Sequence, residues 1–131
     1  MENGGKINYQ SGAINLGDER YGALIDGAAS VIDFGGNDIT VGEKSVAVML
    51  QNGGQLNNTL HNINVGKAGV GIYLADATNI ISPASRTINL SENATGIYGD
   101  NGGNIQLDGN ILSVSDGAKG IASKNSALST I

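Results

Sequence analysis

Apolar and polar residues alternate along this chain in short pulses that recur every 24 or 25 residues. The clearest pulse is Gly96-Ile97-Tyr98, and it has equivalents on both sides along the chain. The full series is Gly22-Ala23-Leu24, Ala47-Val48-Met49, Gly71-Ile72-Tyr73, Gly96-Ile97-Tyr98 and Gly120-Ile121-Ala122. A constant period in this range is typical of repeat architectures.

Two further series share this period. In the first, a polar residue stands between two apolar ones, in Ile14-Asn15-Leu16, Ile39-Thr40-Val41, Ile63-Asn64-Val65, Ile88-Asn89-Leu90 and Leu112-Ser113-Val114. The second consists of single apolar residues, which are Ile7, Val31, Leu56, Ile80 and Ile105. Three independent markers with one period argue against chance.

Each pulse predicts a short strand, because alternation with a period of two is typical of a strand with one buried face. No stretch between the pulses has the length and spacing of an amphipathic helix, so we expect the chain to reach the next layer by coiling. Equivalent strands would then stack in parallel, about 4.8 Å apart. The prediction is an all-β fold, a right-handed parallel β-helix with three sheets and five to six coils. The hand follows from the crossover rule for parallel strands.

One column of the aligned repeats consists of residues that favour turns. Its members are Asn3, Gly27, Asn52, Asp76, Asn101 and Asn125. Asn, Asp and Gly enter the left-handed backbone region more readily than other residues. We therefore expect this column to be a ladder of structural corners.

Composition narrows the function classes. The chain has 131 residues, 21 Gly, no Cys and a net charge of −5. The acidic balance argues against a nucleic-acid partner, and the absence of Cys excludes disulfides and thiolate metal sites. No apolar run is long enough for a transmembrane helix, so no membrane insertion by this segment is expected. Residues 1–131 are interpreted as one solenoid segment of a longer repeat array.

The sequence predicts no catalytic, metal-binding or cofactor-binding residue. His61 is the only histidine, and its position before Ile63 favours a solvated turn. Only two of seven aspartates placed by repeat share a position, Asp26 and Asp100, and the other five are Asp33, Asp38, Asp76, Asp108 and Asp116. The two arginines, Arg20 and Arg86, do not share one. This dispersed arrangement is typical of a solubilising surface.

One outward column is a candidate binding stripe. On the Gly-Ile-Tyr strands we expect Ala23, Val48, Ile72, Ile97 and Ile121 to point inward. Their neighbours would then form an outward stripe of Leu24, Met49, Tyr73, Tyr98 and Ala122. Exposed apolar stripes mark binding sites in some proteins, and Tyr is common at interfaces. The alternative is that neighbouring segments cover the stripe or that cross-strand stacking alone selects these residues.

The Gly-Ile-Tyr triplets, the segment Asn101-Gly102-Gly103-Asn104-Ile105 and the Ile-Asn-Leu strands resemble the repetitive passenger regions of type V autotransporter adhesins of Gram-negative bacteria. The resemblance implies a right-handed β-helix stalk, secretion through an outer-membrane barrel and display at the cell surface. It also implies a structural and adhesive role without catalysis, with a host or bacterial surface protein or glycan as the partner.

Two other functions stay open at this stage. A fragment of a pectate-lyase-like enzyme would require a groove with clustered Asp and Arg or Lys. An ice or crystal binder would require an outward Thr ladder, which Thr40 alone does not supply. In addition, unpaired strand edges at both ends of the stack predict end-to-end self-association.

Overall fold

The computed structural model describes residues 5–8, 13–28, 30–57, 60–76, 80–81, 86–101, 104–105, 110–124 and 129–130. These residues form strands and turns, with no helix among them. In chain order the strands are β1 (Lys6–Asn8), β2 (Ile14–Leu16), β3 (Tyr21–Asp26), β4 (Val31–Asp33), β5 (Ile39–Val41), β6 (Val46–Gln51), β7 (Gln55–Leu56), β8 (Asn62–Val65), β9 (Val70–Leu74), β10 (Ile80–Ile81), β11 (Arg86–Leu90), β12 (Thr95–Asp100), β13 (Asn104–Ile105), β14 (Asn110–Val114), β15 (Lys119–Lys124) and β16 (Ser129–Thr130).

Every pairing among the described strands is parallel and joins equivalent strands of adjacent repeats. The two five-stranded sheets have the orders β2-β5-β8-β11-β14 and β3-β6-β9-β12-β15. A four-stranded sheet has the order β7-β10-β13-β16, and β1 pairs with β4 in a fourth sheet. A five-stranded sheet contains four successive pairings, so the described chain is a β-solenoid of about four turns. The five to six coils of the sequence count include partial repeats, which do not complete a turn.

The core consists of aliphatic rows that run along the solenoid axis. Ile97 lies directly beside Ile72 in the sheet, and both are buried. Ala23 and Val48 continue this inward row and are buried too, as the alternation predicts. Ile121 belongs to the same row but is 37% exposed, because β15 is an edge strand with a neighbour on one side only.

The third series of apolar residues has a different register from the predicted one. Val31 pairs with Lys6, and Ile80 pairs with Gln55 and Asn104. In the structure Ile7 instead pairs with Ile32. In the four-stranded sheet Ile81 pairs with Leu56 on one side and with Ile105 on the other. The prediction was wrong at Val31 and Ile80 because each has an apolar neighbour, and a strand of two or three residues is too short for alternation to choose between them.

A second corner column has left-handed backbone conformation in every described layer. Its residues are Glu19, Lys44, Ala68, Asn93 and Gly117, with φ between 53° and 70°. The backbone N–H of Lys44 donates to the carbonyl of Lys67, and that of Ala68 donates to the carbonyl of Glu92, both at 3.0 Å. These bonds between coils hold residues such as Lys and Ala in a region that they enter at a steric cost.

Candidate functional site

The candidate stripe is a continuous column on the outer side of one five-stranded sheet. Leu24 pairs with Met49, Met49 with Tyr73, and Tyr73 with Tyr98. Ala122 pairs with Tyr98 and completes the column. Leu24 is 36% exposed and the other four residues are half-buried, so the structure brings the predicted stripe together at the surface.

A second apolar column lies beside the stripe on the same sheet. Tyr21, Val46 and Val70 are in register there, followed by Thr95 and Lys119. Tyr21 is 64% exposed, whereas Val46 and Val70 are half-buried. We call the outward residues of these two columns the tyrosine face. The second column was not predicted from the sequence, although its members recur with the same period as the stripe.

Two tyrosines at the centre of this face hold each other in place. The rings of Tyr73 and Tyr98 are stacked, with centroids 5.3 Å apart and an interplanar angle of 25°. The Tyr73 hydroxyl donates a hydrogen bond to Asp100 Oδ2 at 3.0 Å. A ring fixed in this way loses little conformational freedom when a partner binds, which favours binding.

The surroundings of Tyr73 also change its ionisation. Partial burial, together with the hydrogen bond to the Asp100 carboxylate, raises the pKa of Tyr73 to about 12. Both causes act in one direction, since burial and a nearby negative charge each disfavour the phenolate.

We expect alkaline titration to reveal this shift. A phenol whose pKa is raised in the folded state stabilises the fold below the ordinary value near 10, and this contribution is lost as the pH rises toward 12. Absorbance at 295 nm should therefore show one tyrosine that ionises late, and Asp100→Asn should lower its pKa. A Tyr73 pKa near 10 in the wild-type chain would contradict the described hydrogen bond.

A polar network borders the tyrosine face. Asp26 accepts hydrogen bonds from the side-chain amides of Asn52, at 2.7 Å, and Gln51, at 2.8 Å. These bonds lower the pKa of Asp26, with Asn52 as the larger cause. Asp76 in turn accepts a hydrogen bond of 2.6 Å from the backbone N–H of Asn52. The carboxylates at this edge are thus held by amides of neighbouring coils.

Two residues of the expected corner ladder, Asn52 and Asp76, belong to this network. Gly27, Asn52 and Asn101 have positive φ, of 101°, 53° and 69°. Asp76 is not among the described residues with positive φ, and its carboxylate instead accepts the hydrogen bond from the backbone N–H of Asn52. Asn3 and Asn125 lie outside the described residues.

Arg86 does not have the solvated position that the charge pattern predicts. Its side chain is fully buried, and it donates hydrogen bonds to the carbonyls of Asn57 at 2.6 Å and Leu60 at 3.2 Å. Burial lowers the pKa of Arg86 to about 10, so the guanidinium stays charged at neutral pH. The sequence does contain a signal for this, since Arg86 shares the alternation of the buried residues Ile88 and Leu90.

The remaining candidates for chemistry do not converge among the described residues. His61 is exposed, as expected for a turn residue. No three His, Cys, Asp or Glu side chains in the described ranges are placed to hold a metal ion together. In the same ranges there is no helix of the length and apolarity needed to cross a membrane.

Comparisons with known protein families, with curated proteins and with solved structures found no match.

Proposed function

We propose that this chain is a structural and adhesive segment of a surface-displayed bacterial adhesin, of the kind found in autotransporter passengers. The proposal includes a right-handed winding, a three-sided cross-section and an extracellular location. The hand rests on the crossover rule for parallel strands, and the three sides rest on the three strand series of each repeat. The barrel-dependent secretion and the display from the outer membrane rest on the sequence resemblance.

The tyrosine face carries this proposal. It offers half-exposed Leu, Met, Val and Tyr side chains in register on a sheet whose opposite side is buried. Tyrosine and methionine are enriched where proteins meet partners. The regular stacking of coils supplies a stiff support, because each coil is braced by its neighbours. The proposed partner is a protein or glycan on a host or bacterial cell.

Catalysis is not part of this proposal. The pectate-lyase-like alternative needs clustered Asp and Arg or Lys in a surface groove. Arg86 instead faces inward toward the carbonyls of Asn57 and Leu60. Self-association end to end is a further part of the proposal, and it rests on the general tendency of unpaired strand edges to pair.

A cell-binding assay tests the adhesive role. We expect the fluorescently labelled chain to bind host or bacterial cells, and Tyr73→Ser/Tyr98→Ser to lower that binding at least fivefold. The physical reason is the loss of both central rings of the face. The matched control is Lys67→Ser/Glu92→Ser, which removes an exposed ion pair of 3.7 Å and leaves the net charge unchanged.

Equal binding by the tyrosine variant and the wild type would dismiss the tyrosine face as the adhesive site. Thermal melts of both variants establish that any loss of binding does not come from unfolding.

A further inference from the structure

The second five-stranded sheet has an outer side of different chemistry. One outward row contains Asn15, Thr40, Asn64, Asn89 and Ser113, which are in register from β2 to β14. We call these five residues the amide row. Thr40 and Ser113 are exposed, and Asn64 and Asn89 are half-buried.

Hydrogen bonds connect the centre of the amide row along the solenoid axis. The side-chain amide of Asn89 donates to Asn64 Oδ1 at 2.8 Å, and that of Asn64 donates to Thr40 Oγ1 at 3.0 Å. Each of these bonds uses one of the two N–H groups of an Asn amide, and an amide oxygen can accept two bonds. The row is therefore fixed in orientation while it keeps hydrogen-bonding capacity for a ligand.

A shallow groove of about 440 Å³ follows this row. The groove is lined by four residues of the amide row and by six neighbours, which are Val41, Val65, Gly66, Leu90, Ser91 and Ser115. A neighbouring outward row extends the polar surface, because the Asn62 amide donates to Asp38 Oδ1 at 3.1 Å and Thr87 is in register with Asn62.

The charges around the groove limit the ligand class. The residues that line it are all uncharged. Beside Ser91 and Ser115 lie two acids, Glu92 and Asp116, of which Glu92 forms an ion pair of 3.7 Å with Lys67. The chain as a whole carries a net charge of −5. An anionic ligand would be repelled here, whereas a neutral ligand rich in hydroxyl or amide groups would find matching donors and acceptors.

We propose that this groove binds an extended neutral polysaccharide that lies along the solenoid axis. Successive coils present one amide or hydroxyl about every 4.8 Å. An extended glycan chain offers hydroxyl groups at a comparable interval, so several coils engage one chain at once. The site is separate from the tyrosine face and extends the proposed adhesive function to a second ligand.

Binding to defined oligosaccharides tests this site. The probes are cellohexaose and the hexamer of N-acetylglucosamine as neutral glycans, with polygalacturonate as the anionic comparison, measured by calorimetry and by NMR of the labelled chain. We expect binding of a neutral probe, with shifts concentrated in β8 and β11. Asn64→Val/Asn89→Val should raise its Kd at least tenfold, because valine suits a strand but cannot hydrogen-bond.

Two further variants separate binding from folding. Asn64→Thr/Asn89→Thr keeps hydroxyls in the row and should raise the Kd at least threefold while the NMR spectrum stays folded. Arg20→Leu, at an exposed position outside both surfaces, should leave glycan binding unchanged. If the wild-type chain binds a neutral glycan but does not bind cells, the adhesive role of the tyrosine face is rejected and the glycan site is retained.

Three results would overturn the inference. They are no binding of either neutral probe, wild-type affinity in the folded Asn variants, and a preference for polygalacturonate. The last would place the ligand among acidic polysaccharides instead.

Discussion

Replacing Gly66 by Ala is expected to destabilise the solenoid by about 3 kcal/mol. A Cβ at this position would overlap the backbone carbonyl group of Gly42 in the adjacent coil and lie 2.9 Å from the backbone N of Glu43. Backbone atoms cannot move aside as a flexible side chain can, so the two coils would have to separate. Urea denaturation followed by circular dichroism measures the effect as a lower transition midpoint.

The chain contains a matched control at the equivalent position of the first layer. Gly17 follows β2 as Gly66 follows β8, but a Cβ added at Gly17 would meet nothing within 4 Å. Gly17→Ala should therefore leave the midpoint within about 0.5 kcal/mol of the wild type. Comparison of the repeats alone would predict that Gly66→Ala is tolerated, since residues with a Cβ, Ser91 and Ser115, occupy the same position in later coils. Equal stabilities of the two alanine variants would contradict the close approach at Gly66.

Replacing Arg86 by Leu is expected to cost about 2 to 4 kcal/mol, although the substitution exchanges a charged residue for an apolar one inside the core. The carbonyls of Asn57 and Leu60 would lose the guanidinium that donates to them. Buried polar groups left without a partner carry the full desolvation penalty. The free energy of unfolding in urea should fall accordingly.

The second arginine supplies the control. Arg20 is exposed and donates a hydrogen bond of 3.3 Å to the adjacent Glu19 carbonyl. Arg20→Leu should change the free energy of unfolding by no more than about 0.5 kcal/mol. A small effect of Arg86→Leu, similar to that of Arg20→Leu, would mean that the hydrogen bonds of the buried guanidinium to the Asn57 and Leu60 carbonyls do not stabilise the fold.

Strand pairing was predictable where the strands are long enough to alternate. The neighbours Ile72 and Ile97, and the column from Leu24 to Ala122, follow directly from the period. In the four-stranded sheet the strands have only two residues, and adjacent apolar residues such as Ile80 and Ile81 fit either register. There the pairing is set by how the neighbouring coils pack, and the local pattern could not decide it.

Of the candidate sites, the sequence predicted the column of the tyrosine face but not its contacts. The stacking of Tyr73 on Tyr98 and the bond to Asp100 depend on side-chain directions that the repeat pattern does not specify. The amide row was visible as polar residues in one series, yet its hydrogen-bonded chain required the coils to be at their actual spacing.

The sequence by itself determined that this chain is an all-β solenoid with equivalent strands stacked in parallel, because a 24- to 25-residue period of alternating residues leaves no room for a crossover helix. Only the tertiary structure decided which unusual residues the stack accommodates. Lys44 and Ala68 adopt left-handed corners, and Arg86 enters the core. Each is stabilised by hydrogen bonds to the backbone of an adjacent coil, and such partners exist only after the coils have stacked.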